Sequence, residues 1–333
     1  MRIGLVGVGR IGAFHAATLK GLDSVEQVVV ADADLARAQA VAKELSLEAA
    51  PDVETLLGAG LDGVVICAPT SAHSELIARA QDARLTTFCE KPLASDLRGT
   101  RRIAERVADG MVPVHIGFQR RFDAGFRAAR DAVTGGSLGW IHTIRANTSD
   151  AAPPPASYIP TSGGFFRDCS IHDFDAVRFV TGHEVVSVYA VGENRGEAFF
   201  AESGDIDAAA AILTMDDGTI ALISGSRYNG RGYDVRLEAL GSKDSVTVGM
   251  DERLPLRSLE AGITFPEGTP YADFMERFHD AYVDELVAFT ELVAGRIETP
   301  CSVQDGLQAF LVAEACDLSR HESRPVRLDE VSK

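Results

Sequence analysis

The sequence predicts an α/β protein: a doubly wound parallel sheet at the N-terminus, then an α+β domain with an open, largely antiparallel sheet. Three observations carry this. Over residues 1 to about 120, apolar strand runs alternate with helical patterns, the βαβ rhythm of a parallel sheet. Gly7-Val8-Gly9-Arg10-Ile11-Gly12 joins the first strand run to the first helix. From about residue 121 the texture changes to longer strand-like segments separated by turn residues. A chain of 333 residues is also long for one core, so two domains are expected, 1–120 and 121–333.

In the first domain the strands are expected at Ile3–Val8, Val28–Asp32, Gly63–Ala68, Thr86–Cys89 and Pro113–Ile116, each a short apolar run. Helices fall between them, as at Ile11–Leu19, Leu35–Leu45 and Ser74–Ala83. Pro153-Pro154-Pro155 and Gly163-Gly164 mark a loop. The stretch after it, read as a helix, stacks Asp168, His172 and Asp175 at i, i+4 and i+7 on one face. Strand-like segments follow at Val185–Val191, Ala208–Met215, Thr219–Ser226, Tyr233–Ala239 and Ser245–Gly249. Asp216-Asp217-Gly218 and Gly241-Ser242-Lys243-Asp244 read as turns between antiparallel strands. Two helices close the chain, Tyr271–Ala294 and Ser302–Ser319, the second with Ser302 as its N-cap.

At 46% hydrophobic and 24% charged, the composition is that of an ordinary globular protein. A net charge of −17 argues against nucleic acid or an anionic membrane as the main partner, since both need a basic patch. The five cysteines, Cys67, Cys89, Cys169, Cys301 and Cys316, have no metal or redox spacing and read as reduced thiols. The chain opens directly on a strand, and no apolar run is long enough to span a bilayer, so the expected location is the cytoplasm.

The glycine sequence has the full context of a dinucleotide-binding Rossmann fingerprint. It follows a strand, opens a helix, and is followed by Asp32 at the end of the next strand. Gly7, Gly9 and Gly12, with Arg10 and Ile11 between them, let the backbone approach a pyrophosphate at the helix N-terminus, while Asp32 binds ribose hydroxyls. Asp32 and Asp34 would repel a 2′-phosphate more closely than Arg37 could hold one, so NAD is expected over NADP.

Two further groups carry chemistry. Glu90-Lys91-Pro92 follows a strand at the carboxyl edge, where such sheets place ligands, and its lysine could polarise a substrate oxygen. His172 between two carboxylates can take a proton near neutral pH. A metal site is the rival reading, but no further ligand cluster is visible and none is expected; a buried structural histidine is the other rival. His15, His115 and His183 stand isolated in the sequence, without a partner that it names.

Together the glycine opening, Ala68-Pro69-Thr70-Ser71-Ala72-His73, Glu90-Lys91-Pro92 and Asp168-x-x-x-His172 resemble the Gfo/Idh/MocA oxidoreductases, from residue 1 to about 328. The resemblance implies catalytic roles for Lys91, Asp168 and His172, a cis Lys91–Pro92 bond, and Ala68, Thr70, His73 and Glu90 at the cofactor.

Within that family the chain is most similar to the inositol 2-dehydrogenases. The likeness is carried by Pro153-Pro154-Pro155 with Tyr158-Ile159, Ser162-Gly163-Gly164, Ile171-His172-Asp173-Phe174-Asp175, Gly204-Asp205-Ile206-Asp207, Ser226-Arg227 and Gly232-Tyr233-Asp234. It implies oxidation of a cyclic polyol, myo-inositol to 2-keto-inositol, and a homotetramer packed through the open sheet. The alternatives are another inositol isomer, a pyranose, an NAD-retaining glycosidase, or a non-catalytic NAD sensor. A ring polyol needs a site dense in carboxylates, hydroxyls and forked donors, for which Arg121, Asp150, Asp175 and Tyr233 are candidates. The chain departs from those enzymes at Ser149, Gly225 and Val235, where arginine, asparagine and glutamine are usual.

Overall fold

Short runs, most of them apolar and buried on both faces, become the strands of a parallel sheet. In the computed structural model, which describes residues 1–108 and 112–332, these are β1 (Arg2–Val6), β2 (Gln27–Ala31), β3 (Glu48–Ala49), β4 (Gly63–Ile66), β5 (Thr86–Glu90) and β6 (Val114–Gly117). Their order is β3-β2-β1-β4-β5-β6, with every pairing parallel. The connections run through α1 (Arg10–Gly21), α2 (Leu35–Leu45), α3 (Val53–Leu57), α4 (Thr70–Asp82) and α5 (Leu97–Ala108). Strand order reverses between β1 and β4, and the carboxyl ends there open the crevice in which such sheets bind nucleotides.

The chain divides into two compact units, Met1–Gln119 with Asp280–Leu307, and Arg120–His279 with the residues from Gln308 onward. This differs from a single cut near residue 120. Leu286 and Phe289 lie in one core cluster with Ile3, Leu5, Val28 and Phe88, so burial draws residues 280–307 back to the first sheet. The helix expected over Tyr271–Ala294 is two pieces, Phe274–Arg277 and His279–Val293. Phe278 leaves the helical region between them, at φ −112° and ψ 19°.

The second unit is a seven-stranded sheet: β7 (Ile141–Ser149), β8 (Val185–Glu193), β9 (Ala208–Met215), β10 (Ile220–Ser226), β11 (Asp234–Gly241), β12 (Ser245–Val248) and β13 (Val326–Arg327). In the order β12-β11-β7-β10-β9-β8-β13 only β7 and β10 run parallel. β7, the middle of the first five, is absent from the strands expected from sequence. Its apolar side is carried by Ile144 and Ala146 alone, too thin to read as a run beside Arg145, Asn147 and Thr148.

One face of this sheet is core, with Ile144, Leu213, Ile223 and Leu237 buried. It is covered by helices that include α6 (Ala124–Thr134) and α8 (Ile171–Thr181), with the short α7 (Ile159–Ser162) between them in the chain. The other face is open: Tyr189, Ile212, Leu222, Arg145 and Glu238 align across five strands around a concavity of about 420 Å³. Ser302 caps the helix Val303–Glu322 as its position indicates. Its hydroxyl accepts from the Asp305 N–H at 3.2 Å, and its own N–H donates to the Asp305 carboxylate at 2.8 Å. Among the described residues no helix is long and apolar enough to cross a membrane.

Candidate active site

In the first unit the glycine loop is dictated by contact distances. A Cβ on Gly12 would stand 1.8 Å from the Gly7 carbonyl oxygen, and Gly7 itself sits at φ +92°. Gly9 is different: nothing lies within 4 Å of where its Cβ would be. Gly7 and Gly12 thus close the turn, and Gly9 leaves open the side where a pyrophosphate would approach the N-terminus of α1. Asp32 braces the same loop. Its Oδ2 accepts from the Val8 N–H at 2.8 Å, its Oδ1 from the Asp34 N–H at 2.9 Å, and Arg37 Nη1 lies 3.5 Å from Oδ1. The carboxylate is therefore held in place at the end of β2, with the arginine paired to acids.

Thr70 opens α4, directly after Ala68 and Pro69. His73, on the next turn, is buried, with Nε2 2.8 Å from the Ala68 carbonyl and Nδ1 2.7 Å from that of Pro92. It ties the loop after β4 to the Lys91–Pro92 segment rather than presenting a ring nitrogen to a ligand. Burial pushes its pKa down, against the two carbonyls, which favour the protonated ring. Lys91 is half-buried, and its bond to Pro92 is cis.

Glu90 turns its Oε1 to His15 Nε2 at 2.7 Å. His15 is fully buried on α1, so it is not isolated but pairs the helix after the glycine loop with the residue before Lys91. His115 and Glu285, both fully buried, lie 3.6 Å apart, and the Phe88 ring stacks on His115. All five cysteines are free and buried. Burial holds the thiols of Cys67, Cys89 and Cys316 well above the ordinary range, which removes them as nucleophiles.

In the second unit the Asp168 turn is π-helical, Phe166–Ser170, and runs straight into α8. A π turn spreads one extra residue over the helix, a distortion common at functional sites. Asp168 is held on both oxygens: the Tyr158 hydroxyl donates to Oδ1 at 2.8 Å and Arg227 Nη2 to Oδ2 at 2.7 Å. Arg227 Nη1 donates to Asp150 at 3.1 Å. The ring of Tyr158 is exposed, but its hydroxyl end is desolvated beside Asp168, and both effects push the phenol pKa up. His172 is half-buried on the first turn of α8.

Helical spacing puts Asp175 on the His172 face, and in the structure arginines hold its carboxylate. Arg121 Nε and Nη2 grip it at 2.9 and 2.6 Å, and Arg178 lies 3.8 Å away. Asp173, two residues before Asp175, is fully buried on Arg120 at 2.5 Å and Thr148 at 2.8 Å. Desolvation pushes its pKa up, opposed by the Arg120 guanidinium. Tyr233 is buried beside the start of β11, and burial raises its phenol likewise.

His183 also has partners, Asp216 at 2.7 Å and Asp217 at 3.5 Å, at an exposed turn. Among the described residues these three form a group with metal-ligand spacing. Nothing beyond that spacing points to an ion there.

The first unit thus gathers Gly7, Gly9, Gly12 and Asp32, and links Glu90, Ala68 and Pro92 to two histidines. The second gathers Asp150 and Asp168 through Arg227 and sets Asp175 behind Arg121. His15, Tyr158 and Arg227 were not among the candidates for the site. Only the motif matches at Tyr158 and Ser226-Arg227 hinted at the last two, because their partners lie far away in sequence.

Residues 1–118 match the model of an oxidoreductase family with an NAD-binding Rossmann fold, GFO/IDH/MocA, and residues 126–247 match the GFO/IDH/MocA C-terminal domain. Among relatives, the myo-inositol 2-dehydrogenase of Thermotoga maritima is 36% identical over 335 residues, covering 99% of each chain. A myo-inositol dehydrogenase structure from Corynebacterium glutamicum superposes with a TM-score of 0.89, at 36% identity and 98% coverage of both chains. The scyllo-inositol dehydrogenase of Lactobacillus casei, solved with NAD(H) and scyllo-inositol, gives 0.87 at 28% identity and 99% coverage of both.

Proposed function

The chain belongs to the GFO/IDH/MocA oxidoreductases, which are NAD-binding enzymes, and on that premise we propose that it oxidises one ring hydroxyl of a cyclic polyol, myo-inositol to 2-keto-inositol. The observation that carries the reading is the full-length likeness to a myo-inositol 2-dehydrogenase. The glycine loop, open only at Gly9, and the Asp32 carboxylate fit a dinucleotide.

NAD, when bound, supplies the acceptor for the hydrogen and electron pair that leave the carbinol carbon. His172 takes the hydroxyl proton as that C–O bond becomes a carbonyl. Lys91 donates to the reacting oxygen and offsets its developing negative charge. Asp168 orients the imidazole and stabilises its cationic form. Asp150, Tyr233 and Arg121, the last aimed by Asp175, are assigned to the remaining hydroxyls, which need forked donors and carboxylates. Glu90 and His73 support the cofactor side through His15, Ala68 and Pro92.

A tetramer packed through the open sheet is part of the same reading, supported by the exposed Tyr189, Val191, Ile212 and Leu222 on that face. So is a cytoplasmic setting, supported by five free cysteines.

The test is NADH formation by purified protein with a panel of inositols, aldoses and simple glycosides, with NADP in parallel. Turnover of myo-inositol with NAD is expected. Turnover of another isomer, or of pyranoses alone, would move the specificity to the departures at Ser149, Gly225 and Val235. Silence with NAD released on denaturation would overturn the dehydrogenase in favour of a glycosidase that retains its cofactor.

A further inference from the structure

β7 and β10 run parallel with Ser149 opposite Ser226. The next residues, Asp150 and Arg227, therefore leave the sheet side by side, and the Asp150 N–H donates to the Ser226 carbonyl at 2.9 Å. From that strand end the Arg227 guanidinium reaches two carboxylates, Asp150 through Nη1 and Asp168 through Nη2. Its side chain is 5% exposed and lies over the Phe165 ring, 5.2 Å from the centroid, just before the π turn that carries Asp168. The other oxygen of Asp168 is taken by the Tyr158 hydroxyl. Each oxygen of this carboxylate is thus met by a donor.

We propose that Arg227 is a positioning residue for the reaction: its guanidinium, shared between Asp150 and Asp168, fixes the Asp168 carboxylate in the orientation His172 requires. This rests on the reading that Asp168 and His172 handle the proton. The sharing matters electrostatically as well. One guanidinium on one carboxylate would cancel the charge that a cationic His172 needs; with Asp150 as second partner the cluster keeps one net negative charge. A planar fork offers N–H donors to two carboxylates in one fixed plane, a geometry that a flexible ammonium does not hold. Tyr158 completes the clamp from the opposite side.

The experiment is steady-state kinetics of Arg227→Ala, Arg227→Lys and Tyr158→Phe on whichever inositol the wild type turns over. NAD affinity by calorimetry and thermal unfolding are recorded beside it. Arg227→Ala should lose on the order of 10²-fold in kcat, with a smaller change in KM and unchanged NAD affinity. Millimolar guanidinium chloride should restore part of that kcat, and none in Asp168→Asn, a response that loss of packing alone would not produce. Arg227→Lys should stay impaired, and Tyr158→Phe should lose several-fold. Wild-type kcat in a folded Arg227→Ala, or a loss that guanidinium leaves untouched, overturns the proposal. Should the alanine variant not fold, wild-type kcat in both Arg227→Lys and Tyr158→Phe does the same. A wild-type protein silent on every inositol would instead overturn the dehydrogenase reading, and this role with it.

Discussion

The imidazole of His15 and the carboxylate of Glu90 meet at 2.7 Å, joining the helix behind the glycine loop to the residue that precedes Lys91. His15 is fully buried and the Glu90 side chain 13% exposed. Removing either leaves a buried polar group without its partner, which costs about 1–3 kcal/mol. His15→Ala should therefore lower the unfolding free energy from urea titration by that amount and reduce kcat through a loosened Lys91. Stability equal to wild type would show that the pair holds nothing together.

Gly12 and Gly9 separate packing from ligand approach. Gly12→Ala drives a Cβ into the Gly7 carbonyl and should destabilise the apoprotein by at least about 1–3 kcal/mol, the cost of overpacking. Gly9→Ala meets nothing within 4 Å, so its thermal midpoint without cofactor should match wild type. Its NAD affinity should fall roughly tenfold or more, about 1.4 kcal/mol, because the methyl occupies the pyrophosphate side. Unchanged NAD binding by calorimetry would refute that placement.

Asp32 holds the Val8 and Asp34 N–H groups, and the proposed function also gives it the ribose hydroxyls. Asp32→Ala should weaken NAD by roughly tenfold or more, from a lost charge-assisted bond of about 1.5–3 kcal/mol. It should also release Arg37 and relax the rejection of NADP. The ratio of kcat/KM for the two cofactors is the measurement, and an unmoved ratio would sink the role.

His172→Ala should lose on the order of 10² to 10⁴ in kcat, the usual worth of a placed base, with NAD affinity preserved. Turnover at the wild-type rate would remove His172 from the mechanism.

Burial lowers the pKa of His73 from its ordinary value of 6.5. Below 6.5 the unfolded chain then binds more protons than the folded one, so stability falls with falling pH until the folded ring also titrates. Urea unfolding on both sides of 6.5 should show this acid-side loss in wild type and a smaller one in His73→Gln. Equal slopes would mean that the ring is not held neutral.

Much of the first unit was legible because its constraints are local. The run Val28-Val29-Val30 is buried on both faces and reads as a parallel strand without knowledge of its neighbours. Ser302 and Asp305 lie three residues apart and cap each other. β7 was not legible: its apolar side is two residues, and its pairing with β10 bridges Ser149 and Ser226. The partner of Asp175 was not legible for a related reason. Helical spacing states which face a side chain shares, but not that Arg121 waits to bind it.

By itself, then, the sequence determined the glycine turn, the acid after the second strand and the lysine before a proline. Each depends on backbone geometry or chemistry within a few residues. Only the tertiary structure decided that residues 280–307 return to the first core, that His15 pairs with Glu90, and that Arg227 joins Asp150 to Asp168. Those partners are selected by the burial of whole sheets. Sheet register, rather than any nearby motif, brings Asp150 and Arg227 together.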